Sequence, residues 1–165
     1  MDMPPELVHN ASAVYVVDDG ADYRFLVQKV FSQFLPQYTV TLFSGGKALL
    51  NHLRTNPERP ALILLDLHMP GMSGLQTLMH LKQDYVETDA ALPNSAPRDG
   101  SLPGRSVRSI PVVVVTSSSS AQEIQACYEA GANSCLAKPI GLGPLRQRLT
   151  LVCNYWVDIN RPFLA

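Results

Sequence analysis

Leu62-Ile63-Leu64-Leu65-Asp66-Leu67-His68-Met69-Pro70-Gly71 is a short apolar run that meets one carboxylate and then a turn signal. An apolar run of this length, ended by proline and glycine, is typical of a strand buried on both faces. Asp66 is therefore predicted at the carboxyl end of that strand. Open α/β sheets bind their ligands at this edge.

Two further apolar runs end in the same way. Residues 14–17 lead into Asp18 and Asp19, and residues 112–115 lead into Thr116 and Ser117. The carboxyl ends of parallel strands lie at one edge of a sheet, so these polar side chains are expected to converge with Asp66.

Helical patterns alternate with these strands along the chain, which predicts a parallel sheet covered by helices on both faces. The predicted strands are residues 13–17, 38–43, 61–65, 110–115 and 133–137. The predicted helices are residues 21–35, a helix capped by Ser44 and running to Arg54, a helix from Ser73, residues 119–130 ending at Gly131, and residues 143–156.

The length of 165 residues favours a single domain. We expect a tail over residues 1–12, one domain over residues 13–157, and a second tail over residues 158–165. Residues 84–109 are rich in Pro, Gly, Ser and charge and form a predicted flexible insertion. Connections between a helix and a strand in such folds usually have about 2–6 residues, so this segment is unusually long.

The composition excludes several classes of protein. Hydrophobic residues make up 46% of the chain and charged residues 16%, which fits a folded domain, and the net charge of -1 gives no reason to expect nucleic acid or a membrane as partner. The acidic, proline-broken start is unlike a secretory signal, so a cytoplasmic location is expected. Three widely spaced cysteines predict reduced thiols rather than a disulfide framework.

The predicted strand ends, together with the residue that follows the fifth strand, bring Asp18, Asp19, Asp66, Thr116 and Lys138 into one site. Three close carboxylates cannot all stay ionised without a cation, and Mg²⁺ prefers oxygen ligands of this kind. Lys138 adds a mobile positive charge and Thr116 a hydroxyl group. Such a site suits the handling of a phosphoryl group, with a carboxylate as nucleophile. No organic cofactor is predicted.

The chain resembles the receiver domain of two-component response regulators. The resemblance runs through VVDDG at residues 16–20, DLHMPGMSG at 66–74, VVVVTSS at 112–118 and AGANSCLAKP at 130–139. Each motif is weak alone, but their order and their placement at strand ends are specific. The resemblance implies a flavodoxin-like three-layer α/β/α sandwich, with a five-stranded parallel sheet in the order 2-1-3-4-5.

The resemblance also implies a function for the site. Asp66 would accept a phosphoryl group from a sensor histidine kinase or a histidine phosphotransfer protein, and Lys138 would pair with that group. Thr116 would be the switch hydroxyl. The domain would be a switch with only weak self-phosphorylation and autodephosphorylation, and the peptide bond from Lys138 to Pro139 would be cis.

The metal ligands implied by the resemblance are Asp18, Asp19, Asp66 and the backbone carbonyl of His68. The expected ion is Mg²⁺, for which Mn²⁺ or Ca²⁺ could substitute in a crystal. The ending of the chain is similar to a subgroup of single-domain receivers that includes partners of phytochrome kinases. The last predicted helix carries a stripe that is first of all part of the core and comprises Leu145, Leu149, Val152 and Trp156. A homodimer face adjoining this stripe, through the last helix and the fifth strand, is a second interpretation, since receivers often use such a face.

Cys135 departs from the family pattern, which has Tyr or Phe three residues before the lysine. The aromatic side chain that transmits the signal in the family is therefore missing from this position, and a phosphate-independent scaffold is a first alternative function. A small-molecule phosphatase with an aspartate nucleophile is a second. Such enzymes have a second acid two residues after the nucleophile, and this chain has His68 there.

Overall fold

A computed structural model describes residues 12–83 and 110–160 of the chain. The predicted insertion at 84–109 and most of both predicted tails lie outside the described residues. The strands are β1 (Ser12–Val17), β2 (Tyr38–Phe43), β3 (Leu62–Asp66), β4 (Val112–Thr116) and β5 (Ser134–Ala137). The α-helices are α1 (Ala21–Phe34), α2 (Gly46–Thr55), α3 (Gly74–Gln83), α4 (Ala121–Glu129) and α5 (Leu142–Cys153).

The five strands form one parallel sheet in the order β2-β1-β3-β4-β5. This confirms the flavodoxin-like order predicted from the sequence. Strands β3 and β4 are buried along their whole length, because helices cover both faces of the sheet. The continuous apolar runs of these two strands are the sequence signature of that burial.

Alternate strand residues contribute to two hydrophobic cores, one on each face of the sheet. Ile63 and Leu65 pack on the face covered by α2, α3 and α4, whereas Leu62 and Leu64 pack on the face covered by α1 and α5. The period of two in a strand produces this division. The predicted stripe of the last helix belongs to the second core and comprises Leu145, Leu149, Val152 and the partly buried Trp156.

The register of the strands aligns their carboxyl ends. Asp66 pairs with Val115, and Thr116 pairs with Ala137. Backbone hydrogen bonds extend this pairing beyond the strands, since the N–H of Asp18 donates to Phe43 (3.1 Å) and the N–H of Lys138 donates to Thr116 (2.8 Å). The polar residues singled out in the sequence therefore share one edge of the sheet.

The start of α2 differs from the prediction. Ser44 is exposed, and the residue that caps the helix is Gly45, which makes no side-chain capping bond. Helix α2 begins at Gly46, where an added Cβ would lie 1.9 Å from Oγ1 of Thr77 on α3. The close approach of two helices thus fixes this start, and the prediction of Ser44 as the cap is wrong.

The ends of α4 follow local sequence signals. The hydroxyl of Ser120, the last of four serines at residues 117–120, accepts a hydrogen bond from the N–H of Glu123 (3.4 Å) and caps the helix. Gly131 follows the helix with a φ of +101°. This left-handed conformation favours glycine, which explains the predicted stop.

The last helix continues beyond α5 as a π-helical segment at Asn154–Ile159. The N–H of Asn160 donates to the carbonyl oxygen of Tyr155 (2.7 Å), and the hydroxyl of Tyr38 donates to Oδ2 of Asp158 (2.5 Å). The second bond attaches the segment to the start of β2. Within the described residues, no helix has the length and apolar character needed to cross a bilayer.

Candidate functional site

The carboxylates of Asp18, Asp19 and Asp66 converge at the carboxyl edge of the sheet. One oxygen from each carboxylate lies within 4.8 Å of the others. Asp18 and Asp66 are 2% and 6% exposed, whereas Asp19 is exposed to solvent. The structure thus brings together the three side chains that the sequence predicted as metal ligands, with an opening on the side of Asp19.

The position of Asp18 is fixed by three hydrogen bonds. Its Oδ1 accepts from the N–H of Gly20 (2.8 Å), its carbonyl oxygen accepts from the Arg24 guanidinium (2.7 Å), and its own N–H donates to Phe43. These bonds join the end of β1 to β2 and to the first turn of α1. The carboxylate is therefore held in place before any ligand arrives.

Lys138 supplies the positive charge of the site. Its Nζ lies 2.5 Å from Oδ2 of Asp18 and 3.8 Å from Oδ1 of Asp66, and its side chain is 22% exposed. The same nitrogen lies 4.2 Å from the centroid of the Tyr23 ring. The peptide bond that follows Lys138 is trans, so the expected cis isomer is wrong. The trans form is the one that a bond to proline intrinsically favours, by about 0.5–1 kcal/mol.

The pKa of Asp66 is raised to about 6. Burial is the largest cause, followed by the neighbouring charge of Asp18, while Lys138 acts in the opposite direction. The positive charge of Lys138 therefore offsets only part of the repulsion between the carboxylates. A divalent cation would offset more, and the oxygen-rich donor set suits a hard ion such as Mg²⁺.

Thr116 ends β4 beside this cluster and is 3% exposed. Its Oγ1 accepts a hydrogen bond from the N–H of Ser118 (3.0 Å). The hydroxyl of Ser118 in turn donates to the carboxylate of Glu123, whose other oxygen lies 3.5 Å from Nε2 of His68. Glu123 thus contacts both the loop after β3 and the loop after β4.

Comparison with known proteins identifies the family. A family model described as the response regulator receiver domain matches residues 14–93. Residues 14–93 therefore match the receiver family. Among curated relatives, response regulator Rcp1 of Synechocystis sp. is 28% identical over 160 residues, which cover 94% of this chain and 91% of Rcp1. The probable methanogenesis regulatory protein FilR2 of Methanothrix harundinacea is 26% identical over 152 residues, with 90% and 85% covered.

Solved structures agree with this match. The Mn²⁺-bound form of Rcp1 superposes with a TM-score of 0.69 at 25% identity, over 93% of this chain and 99% of that structure. The phosphorylated cyanobacterial phytochrome response regulator RcpA gives a TM-score of 0.71 at 24% identity, over 92% and 97%. The expected similarity to phytochrome-associated receivers is confirmed.

The receiver departs from its family pattern at Cys135, where β5 faces α4. Cys135 is partly buried, and its N–H donates to the hydroxyl of Tyr128 (3.2 Å). Its thiol also contacts that of Cys127, whose pKa burial raises to about 11. All three cysteines are free thiols. The aromatic side chain beside position 135 thus comes from the neighbouring helix.

Three residues of the receiver site were not predicted from the sequence: Tyr23, Arg24 and Glu123. Tyr23 and Arg24 lie in the first turns of the helix that follows the acidic pair. Their closeness in sequence to Asp18 and Asp19 was the only indication that they lie near the site. Glu123 carried only a weak signal, its position three residues after a capping serine.

Proposed function

We propose that this receiver accepts a phosphoryl group on Asp66 from a sensor histidine kinase or a histidine phosphotransfer protein. In this proposal the reaction depends on Mg²⁺, and the receiver signals through contacts with other proteins. The observation that carries the proposal is the buried carboxylate of Asp66 beside Asp18, with Lys138 in contact with both and three carboxylate oxygens within 4.8 Å of one another.

Asp66 has the properties of a nucleophile. Its pKa of about 6 leaves the carboxylate mainly ionised at neutral pH. In the transfer step, one carboxylate oxygen attacks phosphorus as the bond from phosphorus to the donor histidine nitrogen breaks. The product is a mixed anhydride, which water later hydrolyses to inorganic phosphate and the free carboxylate.

The surrounding residues would offset charge on the transferred group. Lys138 lies close enough to reach a phosphoryl oxygen on Asp66. Thr116 would give up the bond that its hydroxyl accepts from the N–H of Ser118 and would donate to a phosphoryl oxygen instead. Asp18, Asp19, Asp66 and the backbone carbonyl of His68 would hold Mg²⁺, which supplies electrostatic stabilisation of the phosphoryl oxygens. The Mn²⁺ in the structure of Rcp1 supports a divalent ion here, and Mn²⁺ or Ca²⁺ could replace Mg²⁺.

A homodimer is part of the proposal. Leu151, Tyr155 and Ile159 follow one another at intervals of four residues and are 60%, 51% and 58% exposed. This apolar stripe runs along α5 and the π-helical segment, and β5 is an edge strand of the sheet. A second copy covering the stripe would remove it from water. Sedimentation should give a dimer that Tyr155→Glu converts to a monomer, and a monomeric wild type would contradict this part.

Phosphorylation by acetyl phosphate tests the central proposal. With Mg²⁺, intact-mass spectrometry should detect one added phosphoryl group, which hydroxylamine removes and a chelator prevents. Asp66→Asn should show no adduct. Asp22→Asn is the matched control, because Asp22 is an exposed acid in the first turn of α1 outside the cluster.

The alternative functions give different results in the same assay. The absence of an adduct from acetyl phosphate and from phosphorylated histidine donors would favour a phosphate-independent scaffold. Repeated turnover of small phosphate esters would favour a phosphatase. Either result would contradict the proposed function.

A further inference from the structure

The ring face of Tyr23 contacts the ammonium group of Lys138. The Lys138 Nζ lies 4.2 Å from the ring centroid, compared with 2.5 Å from Asp18 and 3.8 Å from Asp66. A cation at this distance over an aromatic face is attracted by the ring quadrupole. Lys138 is thus bound by two kinds of partner, one ionic and one aromatic.

The Tyr23 ring is held firmly. It lies in the first turn of α1 and is partly buried, and its neighbour Arg24 ties that turn to the carbonyl oxygen of Asp18 (2.7 Å). The pKa of the Tyr23 hydroxyl is raised by burial first, then by Asp18 and Asp66. The side chain is therefore neutral at physiological pH and lies close to both carboxylates.

The two kinds of partner respond differently to ligands. Carboxylates that bind a divalent cation lose much of their attraction for the ammonium group, and Asp66 changes its own charge when it is phosphorylated. The ring face does not take part in either event. It can therefore keep hold of a long, flexible lysine side chain while the ionic contacts are exchanged.

We infer that Tyr23 is the positioning residue for Lys138. Its ring face holds the ammonium group beside Asp66, so that the charge is in place when the phosphoryl oxygens arrive. This inference rests on the proposed function of Asp66. In this role Tyr23 acts through its contact with Lys138.

A double-mutant cycle tests this role. The rate of phosphorylation by acetyl phosphate with Mg²⁺ is measured for wild type, Tyr23→Leu, Lys138→Ala and the double variant. Tyr23→Leu should slow the wild type by about 3- to 10-fold and should have no further effect in Lys138→Ala. Tyr23→Phe keeps the ring and should restore the rate to within about twofold of wild type. Phe25→Leu removes an exposed ring from the same helix and is the control.

Two kinetic outcomes would overturn the inference. An equal slowing by Tyr23→Leu with and without Lys138 would indicate a structural role for the ring. A loss in Tyr23→Phe as large as in Tyr23→Leu would assign the effect to the hydroxyl instead of the ring face.

A spectroscopic readout separates this inference from the proposed function. The ε-methylene protons of Lys138 should show an upfield ring-current shift in the NMR spectrum of the unphosphorylated protein, retained in Tyr23→Phe and lost in Tyr23→Leu. If wild type shows this shift but accepts no phosphoryl group, the proposed function fails and the contact stands. If the shift is absent from wild type, the inference itself fails.

Discussion

Different interactions position the side chains at two places in the molecule: the site edge, which is the carboxyl edge of the sheet with Asp18, Asp66 and Lys138, and the region around Cys135. At the site edge, Asp18, Asp66 and Lys138 are positioned by charge and by hydrogen bonds at strand ends. Around Cys135, uncharged groups of β5 and α4 meet: the N–H of Cys135 donates to the Tyr128 hydroxyl, and its thiol contacts that of Cys127. Charge patterns are visible in a sequence, whereas packing depends on which helix supplies the neighbour.

Gly74→Ala should give the largest effect, because it disturbs the backbone of the site edge directly. An added Cβ would lie 2.0 Å from the carbonyl oxygen of Asp66 and 2.7 Å from Cα of Leu67. Backbone atoms cannot move aside without shifting α3 or β3, so we expect a loss of more than about 3 kcal/mol in the free energy of unfolding. Urea denaturation measures it.

Gly143→Ala is the matched control for this change. Gly143 lies in α5, and an added Cβ there meets nothing within 4 Å. Alanine is the better helix former, so the control should be neutral or stabilising by up to about 1 kcal/mol. Equal losses in the two variants would contradict the packing argument.

Asp66→Asn should reveal the electrostatic cost of the site edge. Because the folded pKa of Asp66 is about 6 and its ordinary value is 3.8, the folded state holds the proton more tightly. Protonation of Asp66 therefore contributes to the free energy of unfolding. This contribution is fully present below about pH 4, and it is lost as the pH rises through about 6. Without metal at neutral pH, Asp66→Asn should be more stable than wild type by about 3 kcal/mol, because the pKa difference of about 2.2 units corresponds to about 1.4 kcal/mol per unit.

The pH dependence of that difference is the decisive measurement. Denaturation with a chelator should give wild type and Asp66→Asn similar stabilities near pH 4 and different ones near pH 7. Mg²⁺ should stabilise wild type more than the variant. A difference that does not change with pH would exclude the raised pKa as the cause.

Cys127→Ala should have a moderate effect on stability and none on phosphorylation. Cys127 lies on the buried face of α4 and is 1% exposed. Removal of its sulfur leaves a small cavity and should lower the free energy of unfolding by about 1–2 kcal/mol. Cys135→Ala, at a partly buried position, should cost less. A large change in the rate of phosphorylation in either variant would show that the two regions are coupled.

Ser120→Ala should have the smallest effect of the series. The capping bond from Glu123 to the Ser120 hydroxyl is long, at 3.4 Å, so its loss should cost about 0.5 kcal/mol, at the lower end for an N-cap. Thermal denaturation followed by circular dichroism can detect this change. A loss above about 2 kcal/mol would mean that Ser120 has another role.

The sequence predicted the sheet well because each strand carries its own signal. The alternation of strands and helices predicted a parallel sheet, and the polar residues after the apolar runs of β1, β3 and β4 predicted the edge where they meet. The strand order followed from the resemblance to receiver domains. Ser44 was misleading because the start of α2 is set by contact of Gly46 with Thr77, which no local pattern encodes. Tyr23 was overlooked for a related reason: its partner, Lys138, is distant in the chain.

Glu123 has a mechanical consequence for the loops that frame the site. One carboxylate oxygen accepts from Ser118 in the loop after β4, and the other faces His68 in the loop after β3. A displacement of either loop must break one of these contacts or pull the first turn of α4 along with it. A single side chain of α4 thus contacts both loops that frame the site.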